Sequence, residues 1–176
     1  MTKKIKEDMG RSRRAFNLAK SLIEHSFDAS LVTLEGHKNV FEQQLDQKHA
    51  IDGFLLTATD GVVPIAWRVR FDKKENCAAR AFTVRHSKAN GKKTEWQKLR
   101  QAQMYGDLMP QFIFSIYVDE ENSPTVACVE TPDLIDFIQS DLAFLKRDRY
   151  GDEYFSCRWA ELDKCGYLKY VVDMPF

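Results

Sequence analysis

The residues best suited to chemistry lie in one apolar stretch, HAIDGFLLTATDGVVPIAWRVRF (49–71). Asp52 begins the first apolar run, and Arg68 and Arg70 lie two residues apart in the second. The guanidinium group of arginine binds carboxylates and phosphates through paired hydrogen bonds. The stretch therefore predicts an anion-binding surface or, as the simpler alternative, an ordinary ion pair between Asp52 and Arg68.

A predicted β-hairpin positions these residues, because Asp60-Gly61 separates the two apolar runs. Alternate residues of a strand share a face, so Arg68 and Arg70 lie together on the side opposite the apolar one. The segment ARAFTVRHS (79–87) predicts a third strand that carries Arg85 on its polar side. If the apolar sides share a core, the three arginines share the opposite face, where an anion would offset their mutual repulsion.

A second candidate carboxylate opens the helix predicted to follow the third strand. Thr94 is a suitable N-cap for EWQKLRQAQMYG, and Gly106 a suitable end. Glu95 lies in the first turn, where a carboxylate complements the partial positive charge of the helix N-terminus. Capping alone would explain Glu95, and a role beside Asp52 is the alternative.

Charge is distributed unevenly although the chain has no net charge. Residues 68–100 contain 11 Lys/Arg against 3 Asp/Glu, a net of +8, and residues 119–176 contain 6 against 13, a net of −7. The basic block includes the turn SKANGKK (87–93), with Lys88, Lys92 and Lys93. This asymmetry favours an anionic partner for the basic block, although a mixed solvated surface or pairing of the two blocks would also account for it.

The remaining pattern predicts a single α+β domain over residues 1–176, with a mixed or mostly antiparallel central sheet flanked by helices. Two N-terminal helices (1–48) precede the basic hairpin, strand and helix region (50–118), and an acidic part (119–176) follows. Strands are predicted at QFIFSIYVD, TVACVET, EYFSCRWAEL and YLKYVVDM, and a short helix at DLIDFIQSD. If TVACVET forms a sheet edge, it offers a way to pair with a second copy.

Several functional classes are disfavoured by what the sequence lacks. No apolar run is long enough to span a membrane and no secretory signal is present, so we expect a cytoplasmic protein. The four cysteines and four histidines show no zinc-binding spacing, and Cys128 and Cys157 lie in apolar runs typical of structural thiols. Phosphate-binding glycine loops and the GxSxG motif are also absent.

The residues AIDGFLL, DG, IAWRVRF and FTVRHSKANGKKTEWQKL, within about residues 40–100, resemble the PD-(D/E)xK nuclease superfamily and its members in phages and mobile elements. The resemblance implies a restriction-endonuclease-like fold, in which an Asp and a Glu or Gln hold Mg²⁺ beside a Lys. Asp52 matches the metal-binding Asp. The strand that should read Glu/Gln-x-Lys reads Ala66-Trp67-Arg68, or Arg68-Val69-Arg70 if shifted by two residues.

This departure from the family pattern matters chemically. Mg²⁺ takes hard oxygen ligands, whereas arginine stays protonated, repels a metal and cannot act as a base. Glu95 is one replacement ligand that the sequence offers, and Glu42 and Asp46 in the preceding helix are others.

Three functions follow from these patterns. The first is a nuclease-like domain that binds nucleic acid, or a nucleic-acid-binding protein, without cleavage and without a cofactor, through Arg68, Arg70, Arg85, Lys88, Lys92 and Lys93. The second is an active Mg²⁺-dependent nuclease that uses Asp52 and Glu95. The third is a protein-binding inhibitor of a host defence system, with the acidic part as its docking surface.

Overall fold

The structure, a computed structural model, describes residues 3–34, 40–71, 80–88, 93–119 and 123–173. The helices are α1 (Lys3–Phe27), α2 (Val40–His49), α3 (Glu95–Tyr105), α4 (Thr131–Gln139) and α5 (Trp159–Lys164). The strands are β1 (Ala29–Thr33), β2 (Gly53–Thr57), β3 (Gly61–Phe71), β4 (Ala81–Ser87), β5 (Phe112–Val118), β6 (Pro124–Glu130), β7 (Phe144–Arg147), β8 (Glu153–Arg158) and β9 (Leu168–Asp173).

Six of these strands form one mixed sheet in the order β1-β2-β3-β5-β6-β9. The predicted hairpin is its β2–β3 pair, with Gly61 at the turn in the left-handed region (φ +72°). Strand β3 also pairs with β5, and this pair is parallel, whereas the other pairs of the sheet are antiparallel. The predicted α+β class with a mixed sheet is therefore confirmed.

The two faces of this sheet bury different sets of side chains. Phe16, Ala19 and Ile23 of α1 pack on one face, where Trp67 stacks on Phe16 with ring centroids 4.3 Å apart. The opposite face is covered by α3, α4, α5 and a small second sheet. Ala66 of β3 belongs to the core on this opposite face. Arg68 and Arg70 lie two and four residues after Ala66, so they are on the same side of β3 and extend toward the second sheet.

The second sheet has the order β4-β8-β7. The sequence pattern suggested that β4 is a neighbour of β3 in one sheet, and the structure places the two strands in different sheets. Buried polar side chains of β5 hold β4 against the large sheet. The Ser115 hydroxyl donates to the Ala81 carbonyl oxygen (3.2 Å), and the Tyr117 hydroxyl accepts from the Ala81 N–H (3.1 Å). These bonds place the polar side of β4 over the charged end of β3.

Other predicted elements are confirmed or corrected by their partners. Helix α3 has the predicted Thr94 N-cap, in a capping box with Gln97, and ends at Gly106. Within EYFSCRWAEL only β8 is a strand, and Trp159 begins α5. Strand β7 was not predicted. The proposed edge at TVACVET is wrong, because β6 is hydrogen-bonded between β5 and β9 and offers no free edge to a second copy.

Of the three cysteines that the structure describes, Cys128 and Cys157 are buried free thiols and Cys165 is exposed. Burial raises the pKa of both, that of Cys157 to about 12, so these thiols stay protonated and pack as small apolar groups. Cys77 lies outside the described residues. Among the described helices, none has both the length and the apolar character needed to cross a membrane.

Candidate functional site

Glu95 is the centre of the contacts that join β3, β4 and α3. Its side chain is only 8% exposed, and its Oε1 atom lies 2.9 Å from Nη2 of Arg68. Its Oε2 atom accepts a hydrogen bond of 3.4 Å from the backbone N–H of Arg85. The predicted helix-opening carboxylate therefore binds two of the three predicted arginine positions, one through its side chain and the other through its backbone.

A cavity of about 510 Å³ opens around this contact. We refer to it as the basic cavity, and it is lined by Gln47, Arg68, Arg85, Lys88, Lys93, Glu95 and Lys98. Five of these side chains are cationic, and Glu95 is the one carboxylate among the described lining residues. The N-terminus of α3 adds partial positive charge at the same place.

The cations of the basic cavity come from three neighbouring elements. Strand β3 provides Arg68, β4 and the residue after it provide Arg85 and Lys88, and the start of α3 provides Lys93 and Lys98. Nζ of Lys93 donates to Oε1 of Gln101, so the aliphatic part of the Lys93 side chain lies along α3. Of the predicted basic residues in SKANGKK, Lys92 lies outside the described residues.

Asp52 occupies the predicted position at the head of β2, but its carboxylate has a structural contact. Oδ2 accepts a hydrogen bond of 2.9 Å from the backbone N–H of Trp67, on the neighbouring strand β3. The Asp52 N–H in turn donates to the carbonyl oxygen of Ile65 (2.9 Å). Within the described part of the chain, Asp52 is not among the residues that line the basic cavity.

Arg70 is placed apart from Arg68 and Arg85. Its Nη2 atom donates to Oγ1 of Thr83 (2.7 Å), and it lines a different cavity. The sequence predicts one shared face for the three arginines only if the apolar sides of β3 and β4 share a core. That condition is not met, because Trp67 of β3 and Val84 of β4 belong to different cores and β4 lies in the second sheet. Arg68 and Arg85 still meet at the basic cavity, since the second sheet is stacked on the charged side of β3.

Glu153 fixes the end of β4 that leads to Lys88. Its carboxylate accepts from Nη2 of Arg147 (2.5 Å) and from the Ser87 hydroxyl (2.9 Å), and Nδ1 of His86 lies 3.4 Å away. These hydrogen bonds, of which that from Arg147 has the largest effect, lower the pKa of Glu153 from its ordinary 4.5 to about 2. Asp152 similarly lies 3.5 Å from Nε of Arg85. Part of the acidic block thus pairs with the basic block within the chain.

The low pKa of Glu153 predicts an acid-dependent loss of stability. Because the pKa is lower in the folded state, the ionised carboxylate favours folding above pH 4.5, and this contribution is lost as the pH falls through about 2. We expect Glu153→Gln to be less stable than the wild type at neutral pH and to approach it in acid. Urea unfolding midpoints of both proteins over a pH series measure this difference.

Glu161→Gln provides the control, because Glu161 pairs with Lys164 across the exposed surface of α5 (3.0 Å). An exposed pair of this kind contributes little. A constant stability difference between wild type and Glu153→Gln from pH 7 to pH 2 would contradict the role assigned to the Glu153 carboxylate.

Two residues of the basic cavity, Gln47 and Lys98, were not identified from the sequence. Lys98 follows Glu95 by three residues in α3, a spacing that places both side chains on one side of a helix. That spacing is the signal that identifies Lys98. Gln47 lies near the end of α2, and no local pattern connects it to Glu95.

No protein-family model matches the chain, and no curated protein matches it. Among solved structures, the chain is similar to a nuclease from a fusselovirus, with 19% sequence identity, a TM-score of 0.44 and coverage of 89% of each chain. Similarity at this level assigns neither a family nor an activity to the chain.

Proposed function

We propose that the chain binds nucleic acid by holding backbone phosphate groups in the basic cavity. The observation that carries the proposal is the grouping of five cationic side chains around about 510 Å³, with Glu95 as the single carboxylate among the described lining residues. Cations held this close repel one another, and a phosphate relieves that repulsion while accepting hydrogen bonds from arginine. Phosphate contacts of this type contribute most of the sequence-independent affinity for nucleic acid.

We further propose that binding occurs without cleavage. Arg68, whose charge is permanent, engages Glu95 directly, and a carboxylate used in this way is a poor ligand for Mg²⁺. Asp52 uses one carboxylate oxygen to bind the Trp67 N–H. In the ranges that the structure describes, no three His, Cys, Asp or Glu side chains are grouped closely enough to hold a metal ion. In either register of the resemblance to PD-(D/E)xK nucleases, an arginine (Arg68 or Arg70) stands where the family has Lys and no carboxylate or Gln stands before it, which fits the same interpretation.

The test is a binding titration of the Lys88→Gln/Lys93→Gln variant with fluorescently labelled DNA and RNA oligonucleotides. We expect weaker binding and a smaller dependence of log K on log salt, by about 0.7–0.9 for each phosphate that no longer pairs with a lysine. Lys20→Gln/Lys164→Gln is the matched control, because those lysines pair with Glu24 and Glu161 on α1 and α5. The control should bind like the wild type.

Three other outcomes would each overturn part of the proposal. Mg²⁺-dependent cleavage that Asp52→Ala abolishes would overturn binding without cleavage and establish an active nuclease. Equal binding by the Lys88→Gln/Lys93→Gln variant and its control would overturn the basic cavity as the nucleic-acid site. If wild-type protein binds neither DNA nor RNA at low salt, the proposal fails and a protein-binding role is favoured.

A further inference from the structure

A second cavity of about 510 Å³ lies beside Arg70. The charged residues that line this second cavity are Arg70, Lys146, Arg147 and Asp148, and Thr83 and Tyr154 are among its other lining residues. Three of these side chains are cationic, and one of the three, Arg147, also binds the Glu153 carboxylate. The Asp148 carboxylate is already used within the chain, because it accepts hydrogen bonds from the backbone N–H groups of Tyr150 and Asp152 and from the Tyr154 hydroxyl. These hydrogen bonds, of which that from Tyr154 has the largest effect, lower the pKa of Asp148. The carboxylate therefore stays ionised and bound to the β7–β8 turn.

The two cavities are lined by alternate residues on the same side of the same two strands. On β3, Arg68 lines the basic cavity and Arg70 the second cavity. On β4, Arg85 lines the basic cavity and Thr83 the second cavity. Residues two apart on a strand are separated by about 6.6 Å. On β3 the arginine side chains of the two cavities therefore start from backbone positions about 6.6 Å apart.

Direct contacts across β3 and β4 keep the two strands in this alignment. Arg70 donates to the Thr83 hydroxyl, and Glu95 joins Arg68 to the Arg85 N–H. The two contacts lie two residues apart on each strand. The residue number rises from Arg68 to Arg70 on β3 and falls from Arg85 to Thr83 on β4. The alignment is thus fixed at both cavities.

An aromatic ring lies at the boundary between the cavities. Tyr154 lines the second cavity, and the guanidinium carbon of Arg85, from the basic cavity, lies 5.5 Å from the centroid of its ring. Proteins that bind single-stranded nucleic acid combine a cationic groove along the backbone with aromatic rings on which bases stack. Tyr154 and Arg85 provide both elements between the two cavities.

We propose that the basic cavity and the second cavity together hold successive phosphates of one single-stranded nucleic acid, a refinement that rests on the proposed function. Adjacent phosphates of an extended single strand are separated by about the distance between alternate residues of a β-strand. One strand running from Arg68 and Arg85 to Arg70 and Lys146 therefore contacts both cavities, with a base beside Tyr154.

The test compares Arg70→Gln and Lys146→Gln with Lys164→Gln, using a labelled oligothymidine of twelve nucleotides and a duplex of the same length. Arg70→Gln and Lys146→Gln should each weaken binding of the single strand about three- to tenfold and reduce the salt dependence by about 0.7. Lys164 lies on the exposed surface of α5, so Lys164→Gln should leave both the affinity and the salt dependence unchanged. Lys146 lies on β7, so it tests the second cavity without altering β3.

Failure of this inference is distinguishable from failure of the proposed function. If Lys88→Gln/Lys93→Gln weakens binding while Arg70→Gln and Lys146→Gln match Lys164→Gln, the second cavity is not part of the site and the proposed function stands. If neither group of variants weakens binding, the proposed function itself fails. Duplex binding that equals single-strand binding and is weakened equally by the same variants overturns the assignment to a single strand.

Discussion

Replacing Glu95 with glutamine should strengthen binding of a labelled oligonucleotide by about tenfold at low salt. The substitution removes the one carboxylate among the described residues of the basic cavity and releases the side chain of Arg68, which lies 2.9 Å from it. A unit charge about 4 Å from a bound phosphate costs about 1 kcal/mol in water and more in a less polar cavity. About 1.4 kcal/mol corresponds to the tenfold gain. Glutamine keeps an oxygen that can accept from the Arg85 N–H.

Fluorescence anisotropy at several salt concentrations measures this gain, and we expect it to shrink as salt screens the repulsion that the wild-type carboxylate exerts. Glu161→Gln changes the net charge equally but lies on α5, so its affinity should stay within about twofold of wild type. The Glu95→Gln variant should also lose about 1–2 kcal/mol of stability, because Arg68 loses an ionised partner.

The same substitution separates binding from catalysis. If Glu95 holds Mg²⁺ in an active nuclease, Glu95→Gln abolishes cleavage and brings no tenfold gain in affinity without metal. A wild-type enzyme that cuts an oligonucleotide in Mg²⁺, together with an inactive Glu95→Gln variant, would therefore contradict the anion-binding role of the basic cavity.

The local parts of this arrangement could be predicted from the sequence because short-range patterns determine them. The hairpin follows from two apolar runs around Asp60-Gly61, and the start of α3 follows from Thr94. The strand alternation also placed Arg68 and Arg70 on one side of β3. Each of these features depends on residues that are close together in the sequence.

The long-range parts could not be predicted in the same way. Strand β4 joins β8, more than 60 residues later, and the parallel β3–β5 pair spans both β4 and α3. The position of Arg85 depends on that topology, because Ser115 and Tyr117 hold the start of β4 against β5. No local pattern indicates that two polar side chains in an apolar strand will bind another strand's backbone.

The second cavity shows the same dependence on distant pairing. Lys146 and Arg147 lie in a segment too short and too polar to be predicted as a strand, and pairing with β8 brings them beside Arg70. Their positive charge was counted in a block of net charge −7. The acidic character of residues 119–176 therefore concealed a basic surface, because Asp148 and Glu153 are used in contacts within the chain.

Replacing Gly53 with alanine should lower the unfolding temperature more than any other Gly→Ala change in the hairpin. A Cβ atom at this position would lie 2.5 Å from the carbonyl oxygen of Val32 and 2.8 Å from Cζ3 of Trp67. Val32 belongs to β1, which is hydrogen-bonded to β2, and Trp67 is stacked on Phe16. Neither neighbour can move without disrupting a strand pair or the core under α1.

Overpacking of this kind costs about 1–3 kcal/mol, and more where backbone must shift. For a chain of this size we expect a loss of about 3 kcal/mol to lower the unfolding temperature by about 6–12 °C. Thermal unfolding followed by circular dichroism measures the shift. Because Trp67 lies in the contact, its fluorescence should change as well.

Gly61→Ala is the matched control in the same hairpin. No described atom lies within 4 Å of its added Cβ, but its φ of +72° is unfavourable for alanine. That substitution should cost about 1–2 kcal/mol from backbone strain alone. If Gly53→Ala lowers the unfolding temperature no more than Gly61→Ala does, β1 and Trp67 yield to the added methyl group, and the close packing that holds Asp52 beside Trp67 is not as rigid as the contacts imply.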